Sequence, residues 1–410
     1  MRNTIISVNL IQPLFFATFP GVKVLAIKSP LWLLRVIATL CLMQPGELLA
    51  QPTIYFAGLS YLGEAKHAKA NYPVVTSINV SPGKGQAAPL DKAFRTMLEQ
   101  TAGLPYKIAA GEKGDYESGP AIAMTLAIER ETVSVDKFPD YYKLVAEISA
   151  QILFFDFQSM RLIASIPLDI ARNDVVSVYD DLALAKETNV KALYQPDNSD
   201  INLFTIARDR ILESHLPEED ALRFKVDTLS FGDKAAPLLP PSLAVNPLSQ
   251  TFGQYFTAQL AQNARLNMVP YTKGYAIGNK MSGRMSNGDV YQLALPEPDY
   301  VFDLTVTNFK VMKKTNKNLY AARVLLNARE ATDTDLLIND YFHYAVPMLV
   351  SKNQSSETDW PGYEDALEML LLDIAHQLKA PEKKWFDTHT QQKRKTYQTF
   401  TAWSEQFNEM

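Results

Sequence analysis

Apolar residues recur along this chain with two periods, two and 3.6, and the periods alternate in the same order twice. Residues 53–59 (TIYFAGL) form a β-branched and aromatic run closed by Ser60-Tyr61-Leu62-Gly63. Residues 223–229 (RFKVDTL) form a similar run closed by Ser230-Phe231-Gly232. Both read as strands. A proline-bearing loop follows each, the second spanning residues 235–247. An amphipathic helix comes next. In the first half Leu90, Ala93, Phe94, Met97 and Leu98 share one face, and Gly103 stops the helix; in the second Leu248, Phe252, Tyr255, Phe256 and Leu260 do.

Three strand signals then follow in each half. A short one falls at residues 106–109 and again at 268–271. Next, Ile122, Met124, Leu126 and Ile128 alternate with Ala123, Thr125, Ala127 and Glu129, as Phe302, Leu304 and Val306 alternate with Asp303, Thr305 and Thr307. Period two puts one face on a core and the other toward water or a partner. The strands at 144–152 and 320–328 lead through turns at 156–159 and 332–335 into 162–166 and 336–341, which reads as a hairpin in each half. Each half closes with a helix, at 200–215 with Ser199 as cap and from Asp359 onward with Pro361 in its first turn.

The fold class predicted is therefore α+β: two tandem β-α-β-β-β-α units, each a small, mostly antiparallel sheet with helices packed on one face. Domains are expected at residues 51–217 and 218–380, with a basic and aromatic C-terminal helical extension at 381–410. The second unit carries an insertion at 274–298, rich in Gly, Ser and Asn; loops that long are functional or disordered.

Residues 1–50 change the picture. The apolar run 32–43, preceded by Lys23 and Lys28, containing Arg35 and followed by Leu48-Leu49-Ala50, has the order of a secretory signal peptide cleaved after Ala50. It is shorter than the ~20 apolar residues of a membrane span; a retained anchor is the rival reading. Residues 1–22, apolar and broken by Pro13 and Pro20, make the leader long, so translation is expected to start near residues 22–25. Cys41 invites a lipoprotein reading, against which Leu40 replaces the small residue that pattern wants.

The 410 residues carry 40 Lys+Arg against 45 Asp+Glu, a net charge of −5. The leader removes four basic residues and one acid, leaving 36 against 44, or −8. A broad nucleic-acid footprint is unsupported at this balance. Cys41 is the single cysteine, so a mature chain would hold no disulfide, thiolate ligand or Cys nucleophile. The histidines, His67, His215, His343, His376 and His389, show no metal-ligand spacing. No metal, cofactor or catalytic residue is predicted.

The strand ending in a polar-aromatic-Gly turn, followed by an amphipathic helix and a meander with a hairpin at 154–166, resembles the domain shared by the curli secretion subunit CsgG, the TolB amino-terminal domain and the flagellar protein FlgT. The lipoprotein activators of penicillin-binding proteins belong to the same group. The resemblance spans roughly residues 52–379 and is one of pattern, with no motif residue to carry over. It implies a Gram-negative envelope protein acting through protein contacts. The expectation is a non-catalytic periplasmic accessory or scaffold protein of a secretion, flagellar or cell-wall assembly, its partners the other subunits. The alternative is a periplasmic module that binds a small ligand between its two domains. A scaffold should show an exposed sheet face or edge and no pocket; a ligand binder should show a concave polar pocket.

Other motifs weigh less. Gly58-Leu59-Ser60-Tyr61-Leu62-Gly63 misses the G-x-S-x-G elbow by one residue, and residues 81–86 (SPGKGQ) lack the Walker pattern. In the tail, Trp385 and Phe386 follow a Lys pair, and Phe400, Trp403 and Phe407 recur on one helical face. These five are the candidate docking residues, for a partner or peripherally for a membrane; packing on their own domain is the other reading.

Overall fold

The computed structural model describes residues 52–408 apart from 64–66, 84–85, 110–121, 196–200, 219, 241–244, 273–275, 278, 316 and 350–358. The export reading of residues 1–50 and the side chain of Phe407 lie outside the described residues, as does the predicted cap Ser199.

The first half runs β1 (Thr53–Leu62), α1 (Ala68–Asn71), α2 (Pro73–Ile78), α3 (Pro89–Gln100), β2 (Lys107–Ala109), β3 (Ile122–Lys137), β4 (Tyr141–Asp156), β5 (Arg161–Ser177), α4 (Leu182–Tyr194) and α5 (Leu203–Glu213). The second runs β6 (Phe224–Phe231), α6 (Val245–Asn263), β7 (Met268–Val269), β8 (Ala276–Ile277), β9 (Lys280–Met285), β10 (Val290–Ala294), β11 (Tyr300–Lys313), β12 (Lys317–Glu330), β13 (Ile338–Leu349) and α7 (Trp360–Lys379), followed by α8 (Lys383–His389) and α9 (Arg394–Asn408). The fold is α+β.

Strand order is β2-β1-β3-β4-β5 in the first half and β7-β6-β11-β12-β13 in the second. In both, the first strand lies parallel to its two neighbours and the remaining pairs are antiparallel. On one face of the first sheet, α3, α4 and α5 bury Phe94, Leu193, Phe204 and Ile211 against Phe56, Met124 and Ile152. Phe94 packs edge-on against Phe56 at 5.4 Å and stacks on Phe204 at 5.3 Å. On one face of the second sheet, α6, α7 and α9 cover Phe302, Val324 and Phe342.

Several helix ends differ from expectation. Asn202, not Ser199, caps α5: its side chain accepts from the amides of Phe204 (2.9 Å) and Thr205 (3.1 Å), and Thr205 Oγ1 accepts in return from the amide of Asn202. Such caps stabilise by about 1 kcal/mol. Asp359 precedes α7 but caps no amide. Its carboxylate instead accepts from the Tyr320 hydroxyl (2.9 Å) and pairs with Lys313 (3.1 Å). α4, which the apolar pattern did not announce, is capped by Asp181.

The main departure is the insertion. Its described part folds into β8, β9 and β10, and these strands join the first sheet. β9 runs antiparallel to β1 from Ser60↔Met285 to Leu62↔Gly283, and β10 meets β5 at Ala294↔Arg161. Because β9 also pairs with β10, six strands close on themselves in the order β1-β3-β4-β5-β10-β9. The ring buries Ala123, Ala127, Leu153, Phe155, Met281, Tyr291 and Leu293. β3 is thus covered on both faces, where the alternation predicts one face toward water or a partner. Gly283 is required here: a Cβ on it would lie 2.4 Å from the Tyr291 hydroxyl. Gly58, at φ +102, forms the bulge that lets β1 serve both β3 and β9. β1 therefore runs through Leu62, past the turn expected at Ser60.

Residues Gln51–Met410 form one compact unit.

Candidate functional site

A cleft of about 810 Å³ opens where the ring meets α6. The ring side supplies Leu62 and Gly63 from the end of β1, residues 129–132 of β3, and Lys280, Ser282 and Gln292 from β9 and β10. His67, Asn71 and Tyr72 line it around α1, and α6 contributes Pro247, Leu248, Gln250, Thr251 and Gln254. The site is built by both halves, and the strand insertion forms one wall.

Its charged groups are largely engaged by the protein. Glu129 accepts from Gln151 Nε2 at 2.9 Å. Glu131 accepts from the amides of Val74 (2.8 Å) and Val75 (3.1 Å), which open α2, and from the Tyr194 hydroxyl (3.2 Å). Burial still raises the Glu131 pKa from its ordinary value. Arg130 donates to Ser149 Oγ at 3.0 Å and lies 3.8 Å from Glu147. Tyr72 donates to the carbonyl of Leu62 at 2.8 Å, and burial raises its pKa. These bonds fix the walls.

Seven further polar side chains line the cleft, of which Asn71, Thr132, Lys280 and Gln292 are exposed. The side chains of Asn71, Thr132, Gln250, Thr251, Lys280, Ser282 and Gln292 make no hydrogen bond or ion pair to described residues. Gln254 is 7% exposed, and its Nε2 has no acceptor. Leaving such a donor buried and unmet costs about 1–3 kcal/mol.

The sequence carried a signal for this wall. Residues 235–264 contain no Asp, Glu, Lys or Arg, and α6 lies entirely within them. A helix whose outward face meets water normally carries charge; here the polar positions beside the apolar stripe are Gln and Thr. That feature marks a face turned toward something other than bulk solvent.

The residues singled out from sequence fall elsewhere. Ser60 lies within the ring, 2.9 Å from the Tyr291 hydroxyl and 3.0 Å from Thr125 Oγ1, and is fully buried. Phe386, Phe400 and Trp403 are buried in the second core and Trp385 packs against it. The docking expectation for these four gives way to self-packing, because α8 and α9 fold back along β13. Asp340 accepts from the Gln392 amide and from Thr396 Oγ1 (2.5 Å), which ties that return. His343 is exposed on β13, and its pKa is lowered by partial burial and by His389 and Arg323. His376 is exposed and meets Asn263 Oδ1 at 3.1 Å. Among the described residues no group of three or more His, Cys, Asp or Glu could hold a metal, and no helix is long and apolar enough to cross a membrane.

The outer face of the second sheet is the other exposed feature. Asp303 and Thr305 of β11 and His343 of β13 point away from the core. At the edge, Phe342 bridges Thr390 and the Tyr341 carbonyl accepts from the Gln391 amide. Beyond Phe342, no described strand pairs the outer edge of β13.

No family model matches the chain, and no curated protein does. Among solved structures, a hypothetical protein from Chlamydia trachomatis aligns at 10% identity and a TM-score of 0.23, over 38% of this chain and 96% of its own. Rare lipoprotein B from Shewanella oneidensis aligns at 16% identity and 0.18, over 33% and 88%. A neuraminyllactose-binding hemagglutinin homolog from Helicobacter pylori aligns at 12% identity and 0.21, over 47% and 92%. At such TM-scores these likenesses carry no argument about this chain.

Proposed function

We propose that this chain is a non-catalytic binding module of the bacterial periplasm that holds a small ligand in the cleft between the ring and α6. The observation that carries the reading is a cleft of about 810 Å³ lined from both halves by seven polar side chains that make no hydrogen bond or ion pair to described residues. Pockets of about 300–1,000 Å³ with a few converging polar groups are the usual form of small-ligand sites. The leader-like order of residues 1–50 supports the periplasmic address. Native mass spectrometry of the protein isolated from periplasm tests the reading. A small molecule should accompany the wild type and be lost from the Gln250→Ala/Gln254→Leu double variant. Unliganded wild type, with amide exchange in α6 and β9 unchanged by a low-molecular-weight envelope extract, would contradict it.

A second reading, an accessory or scaffold role in an envelope assembly, is favoured by the outer edge of β13. An edge strand offers unpaired backbone groups to which a partner strand can add, and Leu349 at its end is 82% exposed. A photo-crosslinker at Leu349 should then capture one defined envelope protein in cells, and a crosslinker at exposed Leu184 should not. Equal capture at both positions would remove this reading.

A further inference from the structure

The cleft's lining restricts what could occupy it. Apart from His67 and Tyr72, its ionisable side chains are two acids, Glu129 and Glu131, and two bases, Arg130 and Lys280. Three of the four are held by protein groups. An anion such as a phosphate would meet one unpartnered cation, Lys280, and two carboxylates that repel it. A cationic ligand would find both carboxylates already bonded and Lys280 opposing it. An apolar ligand would cover the side chains of Gln250, Ser282 and Gln292 without pairing them. What remains is a neutral ligand rich in oxygen.

The side chains that await partners are of the type such a ligand needs. A carboxamide offers two donors and an acceptor in one plane, and a hydroxyl both donates and accepts. Gln250 and Gln254 stand one helical turn apart on α6, so they are neighbours on its surface. Gln292 and Ser282 come from paired positions of β10 and β9. Two rows of neutral donor-acceptor groups thus belong to different walls of one cleft. Leu62, Pro247 and Leu248 supply apolar surface among them, suited to the C–H faces of a sugar ring.

We propose that this cleft binds a short neutral glycan of about two to four sugar units, held by Gln250 and Gln254 on one wall and by Ser282 and Gln292 on the other. The proposal rests on the reading of the cleft as the recognition site and adds the chemical class of the ligand.

Isothermal titration and saturation-transfer NMR on the full chain test it, with maltotriose, cellotriose and chitotriose as neutral probes. Trigalacturonate and trialanine serve as an anionic and a peptide probe. At least one neutral trisaccharide should bind with a dissociation constant below about 1 mM, weakened about tenfold or more in Gln254→Leu and in Gln292→Ala. Gln254→Leu should retain or raise the thermal midpoint, because it removes an unmet buried donor, so lost binding would not reflect lost folding. Gln254-dependent binding of trigalacturonate or trialanine without any neutral sugar would overturn the glycan class and leave the cleft reading standing. Sugar binding undiminished in both variants would place the site elsewhere and overturn the proposal. No binding of any probe, with neither variant altering amide exchange around the cleft, would overturn the class and the reading together.

Discussion

The two sheets share strand order and strand sense, yet one is closed into a ring and the other keeps an open face. The difference is written in the residues opposite the helices. On β3 those are Ala123, Thr125 and Ala127, small and uncharged, all fully buried under β9 and β10. On β11 they are Asp303, Thr305 and Thr307, and Thr228 donates to Asp303 Oδ1 at 2.5 Å on the open side. On β4, Leu153 and Phe155 face the ring, whereas Arg323 on β12 stacks over Tyr341 at 4.2 Å on the outer face. Both strands alternate with period two. The character of the second face, charged or merely small, tells whether something covers it.

The sharpest break of this comparison is a charge placed on each second face. Ala127→Glu puts a carboxylate inside the ring without a partner and should cost several kcal/mol, of the order of 3–5. Thr305→Glu, at the open face, should change stability by no more than about 0.5 kcal/mol. Urea denaturation of the two variants reads both values. Equal effects would mean that the insertion does not cover β3.

The helix-covered faces should behave alike. Phe94→Ala and Phe256→Ala each empty a fully buried aromatic site and should each cost about 3–5 kcal/mol. A loss below about 1 kcal/mol at either position would show that its core is not packed as described.

Within the ring a smaller effect is expected. Tyr291→Phe removes the hydroxyl that meets Ser60 Oγ at 2.9 Å. The cost should be about 1 kcal/mol, the net worth of one such bond, read from the same denaturation curves.

A pH-dependent effect lies at the seam between the halves. Burial pushes Glu368 of α7 up to about 8, with Glu364, Glu147 and Asp365 adding repulsion and Arg130 opposing it. The folded state therefore holds a proton that the unfolded chain has released. That stability is fully present below pH ~4.5 and is lost as pH rises through about 8. Glu368→Gln should lose less thermal stability than wild type between these limits. Parallel pH profiles of the two midpoints would contradict the assignment.

Much of the architecture was legible because burial on one face leaves a period. Leu304, Val306, Ile148 and Leu370 sit where their spacing put them, and α3, α6 and α7 emerged from the 3.6-residue stripe. α4 did not, because its buried residues crowd into Asn189–Tyr194 and leave its first two turns exposed. Composition makes the insertion look like a loop because Gly, Ser and Asn dominate it. Yet Met281, Gly283 and Met285 alternate with Ser282 and Arg284, and Gly283 is needed beneath Tyr291. Tail aromatics and docking aromatics obey the same periodicity; only the return along β13 separates them. The cleft was the least visible, since Gln250 and Gln254 read locally as the polar side of an amphipathic helix. The thirty-residue absence of charge around them was the available sign.

The pairing of β9 with β1 closes the ring and sets one wall of the cleft. Ser60 and Met285 are directly opposed in that pairing. The Ser286 amide donates to the Leu59 carbonyl outside the pair, so it is a non-hydrogen-bonded pair, the kind with the closest side chains. In a Cys41→Ser background, Ser60→Cys/Met285→Cys should form an intramolecular disulfide under mild oxidation, seen as a single crosslinked peptide joining β1 to β9. Two free thiols persisting in the folded, oxidised protein would contradict the ring and the cleft wall built on it.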